Sequence, residues 1–112
     1  MQARQLTEGD FRATTTPKMH NVTKTATHVL DIWPYVNAVP ASDLEGHSIY
    51  DDFVDVVFRS DDNRFDHVLV MTKTKNVYLA VVVDLAHESI YGHRLLDLNR
   101  EYGLPSVEGG RG

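Results

Sequence analysis

Seven apolar residues run without a break over positions 77–83, rich in β-branched types. The run is far too short to cross a membrane. A strand with one wet face alternates, whereas an unbroken apolar run predicts cover on both faces. The stretch therefore predicts the central strand of a small sheet, extending over 77–85. Upstream, residues 53–59 place Val54, Val56 and Phe58 on one side and Asp55 and Arg59 on the other, the alternation of a strand. Ser60, Asp61, Asp62 and Asn63 then supply turn chemistry, and a second strand is predicted over 64–71. A fourth is predicted over 90–96. Links this short force antiparallel neighbours, so the four strands form a meander.

Before the sheet, Val22, Ala26, Val29, Leu30 and Trp33 recur at helical spacing, with Asn21 placed as an N-cap and Pro34 as a stop. This predicts a helix over 22–33 that lays one face on the sheet. The threonines at 23, 25 and 27 support the competing reading of a strand. Ser42, Asp43, Leu44 and Glu45 have the form of a capping box, but Gly46 follows at once and limits it to one turn. After the sheet, Asp97 can cap a short helix over 98–103, closed by Gly103, Leu104 and Pro105. The expected architecture is an α+β fold: a four-stranded antiparallel sheet with helices against one face. Residues 1–20 read as a flexible arm, anchored at most by Phe11 and Met19. Residues 21–105 form the single domain, and 106–112 a disordered tail.

Composition narrows the function classes. The 112 residues suit one domain, and the absence of cysteine excludes a disulfide framework, a thiol nucleophile and a thiolate metal site. The first eight residues lack the apolar core of a secretory signal, so a cytoplasmic protein with no membrane span is expected. The formal charge of −5 is uneven: residues 1–30 carry +2 and residues 31–67 carry −7. An acidic middle argues against tracking phosphates on nucleic acid. It suits a basic protein partner, self-association of opposite ends, or simply a solvated face.

Candidate chemistry starts with six histidines. Asp84, His87, Glu88 and His93 surround one turn but match no metal-ligand spacing, so no metal or other cofactor is expected. His67 and His93 sit on strands flanking the central one. On a shared face they would stand about 10 Å apart and, with Tyr91, could line a cleft with general acid and base groups. The plainer reading is two inert, hydrogen-bonded rim histidines. Trp33 and Tyr35 flank Pro34 as a candidate recognition surface or, alternatively, as the plug that seats the helix. Asp51, Asp52 and Asp55 are the candidate partner-facing carboxylates. Lys73 and Lys75, with threonines between, read as a soluble loop tip. No nucleophile elbow, phosphate-cradling glycine loop or metalloprotease helix is present.

Three readings follow. The first is a non-enzymatic binding or regulatory module that forms a homodimer, which would cover sheet edges. The second is an acidic inhibitor, a nucleic-acid mimic of the kind carried by mobile elements, blocking a basic partner. The third is a small hydrolase or isomerase using His67, His93 and Tyr91. The runs at 67–78 and 92–99 resemble bacterial sequences, a likeness that implies no activity and no residue role.

Overall fold

A computed structural model describes residues 3–22 and 30–101, with the backbone alone at 51–53 and 55. It is an α+β fold around one antiparallel sheet. Strands β1 (His20–Asn21), β2 (Ile49–Arg59), β3 (Phe65–Thr72), β4 (Val77–Asp84) and β5 (Ser89–Asp97) lie side by side in chain order. The expected four-stranded meander is matched in part: β2 to β5 follow it, within a sheet of five strands whose β2 starts at Ile49. β1 is an addition that pairs with β2 at Phe58 and Arg59. The helices α1 (Glu8–Ala13), α2 (Trp33–Val36) and α3 (Leu98–Glu101) are short, and a 3₁₀ turn spans Ala41–Leu44. Among the described residues, no helix is long and apolar enough to cross a membrane.

β4 fulfils the double cover that its pattern requires, since every residue but Tyr78 is buried. Cross-strand partners share a face, so the registers sort the sheet into two surfaces. The first face carries Val57, Val68, Val81 and His93 in one row and Val70, Leu79 and Leu95 in the next. Ile32, Tyr35, Val36 and Val39 close over it. The second face carries Phe58, His67, Val82 and Gly92 in a row, and there Leu6 and Phe11 pack with Phe65, Val82 and Tyr91. Cover thus comes to both faces, not to one.

That second cover comes from the stretch expected as an arm. Thr7 caps α1 in a reciprocal box with Asp10. Leu6 N–H donates to His93 O at 2.8 Å and His93 N–H to Arg4 O at 3.0 Å, so residues 4–6 run parallel beside β5. Thr16 Oγ1 accepts from Asp61 N–H at 2.9 Å.

The helix expected over 22–33 needs correction where it is described. Val22 N–H continues the pairing of β1 by donating to Val57 O at 2.9 Å. Leu30, Asp31 and Ile32 are not helical, and α2 begins at Trp33 with Pro34 inside its first turn. A missing N–H is no loss there, so Pro34 starts a helix instead of stopping one. Residues 23–29 lie outside the described residues, as do the stop signal at 103–105 and the tail at 106–112.

Candidate functional site

The most connected polar group in the fold is His93. β5 carries it on the first face opposite Val81, beneath α2 and the 3₁₀ turn, and its side chain is fully buried. Its Nε2 lies 2.9 Å from Asp43 Oδ2, and its Nδ1 lies 2.7 Å from the Tyr35 hydroxyl. An ionised carboxylate only accepts, so Nε2 carries a proton that it donates to Asp43. The Tyr35 O–H faces two acceptor positions, His93 Nδ1 and Arg4 O at 3.1 Å. The phenol oxygen in turn accepts from Arg4 N–H at 2.7 Å. The result is a buried chain running from the Arg4 backbone through Tyr35 and His93 to Asp43.

Each member is placed by a local feature. α2 turns Tyr35 inward, where only 1% of it is exposed. The 3₁₀ turn brings up Asp43, and Glu45 and Gly46, with φ of 51° and 86°, end that turn. The Tyr35 ring also meets the imidazole edge-on, with centroids 5.6 Å apart. A cleft of about 430 Å³, lined by Ala3, Arg4, Tyr35, Ile90 and Tyr91, opens above the phenol. Burial pushes the Tyr35 pKa up, against the opposing pull of the Arg4 backbone bond. Tyr35 is therefore a protonated donor and not a phenolate nucleophile.

His67 stands on the other side of the sheet. It pairs with Val82, whereas His93 pairs with Val81, and successive residues of a strand point to opposite faces. The shared cleft expected for the two imidazoles is therefore absent. His67 Nε2–H donates to Thr14 Oγ1 at 2.9 Å and Thr14 O at 3.1 Å, while the Thr14 hydroxyl donates to Phe11 O at 2.7 Å. The Phe11 ring meets the imidazole edge-on at 5.0 Å. Burial lowers the His67 pKa, with the Thr14 carbonyl and Asp66 opposing that shift.

Tyr91 is also displaced from the expected constellation. The register shifts between Val82 and Val83, leaving Tyr91 as the extra residue of a bulge. Its ring packs on Phe65 at 5.5 Å, on the second face, away from His93. The guanidinium of Arg4 stacks on that ring at 5.3 Å and donates to the Tyr91 carbonyl at 3.0 Å.

The remaining candidates divide. Asp84 holds its own turn, accepting from Ala86 N–H, His87 N–H and the His87 ring. His93 is engaged elsewhere, and no group of three metal-ligating side chains forms among the described residues. Trp33 is half-buried against the first-face core, and Tyr35 beside it is inside the protein, so the two do not make an exposed pair. Asp51, Asp52 and Asp55 lie on β2. Sequence reasoning missed Asp43 and Thr14 as partners of the two buried histidines. The capping-box pattern around Asp43 signalled a turn, and nothing in the sequence signalled its contact with residue 93. No known protein family, curated protein or solved structure matches the chain.

Proposed function

We propose that this chain is a non-enzymatic binding module that works by self-association. The observation carrying the first half is the fate of its acid and base groups. His67 and His93 lie on opposite faces, each tied into bonds that hold one segment of chain on the sheet. General acid and base catalysis needs such groups within reach of one reacting centre.

Self-association is supported by charge. Residues 1–30 carry +2 against −7 over residues 31–67, so two copies attract end to middle. Sedimentation equilibrium at about micromolar concentration is the test. A mass twice that of one chain, falling to one chain at high salt, is expected. A single-chain mass throughout would remove the dimer.

A second reading takes the acidic middle as a surface for a basic protein. The two arginines of that stretch are already neutralised, Arg59 by Asp66 and Arg64 by Asp84. A monomer that binds a lysine-rich peptide, and loses it on charge reversal at Asp51, Asp52 and Asp55, would favour this reading.

A further inference from the structure

Each arginine among the described residues holds a carboxylate: Arg4 with Asp10, Arg12 with Glu8, Arg59 with Asp66, Arg64 with Asp84, Arg94 with Glu101, and Arg100 with Glu45 and Asp97. In a chain of net charge −5, carboxylates are in surplus. Lys73 and Lys75 nevertheless pair with none among the described residues. Both line a cleft of about 390 Å³ whose apolar wall includes Tyr50, Met71 and Tyr78. Tyr50 is the one large apolar side chain exposed among the described residues, at 42%. The Lys73 ammonium lies 5.8 Å from its ring centroid.

The turn bearing these lysines is held from several sides. Lys73 N–H donates to Ser48 O at 2.8 Å, and the Thr72 hydroxyl donates to Val77 O at 2.6 Å. Leu98 N–H donates to Asn76 O at 2.9 Å, and Asn99 Nδ2 to Lys75 O at 2.9 Å. Asn76, at φ 67°, takes the left-handed position that closes the turn. Two cations are thus presented from a fixed backbone beside an aromatic wall. A pre-organised site loses less entropy on binding than a loose loop.

We propose that this cleft binds a phosphate monoester with a planar aromatic body, the chemistry shared by nucleoside monophosphates and aryl phosphates. Lys73 and Lys75 take the phosphate as point charges. Tyr50 and Tyr78 take the ring by stacking or edge contact, with Met71 beneath. The cleft volume lies within the range of small-ligand pockets. This site is separate from the charge pattern behind the proposed self-association, so either can fail alone.

The test is an amide-shift titration of the full chain with adenosine monophosphate, phenyl phosphate, inorganic phosphate and phenol. The aromatic phosphates are expected to shift residues at 50, 73–75 and 78, binding about tenfold or more tighter than inorganic phosphate or phenol. Tighter binding of adenosine monophosphate points to nucleotides, and of phenyl phosphate to aryl esters. The double variant Lys73→Gln/Lys75→Gln should lose about tenfold or more in affinity. Tyr50→Leu should bring the aromatic phosphates down toward inorganic phosphate. Equal affinity for aromatic and inorganic phosphate, or binding unchanged in the lysine variant, overturns the proposal. If the lysine variant does not fold, the Tyr50→Leu comparison decides.

Discussion

His67 and His93 show how far a residue's identity can be separated from its role. The sequence placed both on one face, at a cleft or at the rim of the sheet, whereas the structure buries them on opposite faces with partners no local pattern announced. Thr14 and Asp43 come from segments 53 and 50 residues away, joined by nothing local. The consequences of burial can still be worked out for His67. Its folded pKa lies below the ordinary value of 6.5, so the unfolded chain takes up a proton first as pH falls. Its contribution to stability is complete above that ordinary value and is lost as pH drops through it toward the lowered folded value. Asp62 and Asp84, whose pKa values lie below the ordinary 3.8, lose their contributions only at more acid pH. Urea midpoints should therefore fall between about pH 7 and about pH 5, and fall less steeply in His67→Gln, which keeps a donor for Thr14 but cannot titrate. Parallel slopes in the two proteins would mean that His67 is not the sensor.

The strands were readable because alternation at 53–59, an unbroken apolar run at 77–83 and the turn residues between them fall in sequence. Of the helices, the short one after Asp97 and the turn at Ala41–Leu44 were foreshadowed by their caps, whereas α2 was misplaced because Pro34 was read as a stop and not as a first-turn residue. The bulge at Tyr91 was equally hidden, since a one-residue slip reverses every facing beyond it. Gly92 shows what that bulge accomplishes. A Cβ at Gly92 would stand 2.5 Å from Leu6 Cδ2 and 2.9 Å from Arg4 O. Leu6 is itself buried, and Arg4 O is backbone already bonded to His93 N–H, so neither can yield cheaply. The glycine is what lets residues 4–6 lie against β5. Gly92→Ala should push that segment away and cost about 1–3 kcal/mol. Hydrogen exchange at Leu6 N–H should accelerate while that of the β3–β4 ladder stays slow. Unchanged protection at Leu6 would show that the segment docks without the close approach.

Across the whole molecule, charge and fold interact through the histidines. Protonating all six would move the formal charge from −5 to +1, carrying the protein through neutrality near its sequence pI of 5.6. The fold alters this count. Burial lowers the His67 pKa, so this ring takes its proton later than a free imidazole as pH falls and delays the loss of net negative charge. A chain near zero net charge has little long-range repulsion, which favours association. The attraction between acidic middle and basic end then acts almost unopposed. Light scattering should rise as pH falls from about 7 to about 5. Removing a carboxylate outside the acidic middle distinguishes charge from unfolding: Glu88→Gln, at an exposed turn, should move the onset to higher pH without shifting the urea midpoint. A flat scattering profile across the histidine range would mean that net charge does not govern association in this protein.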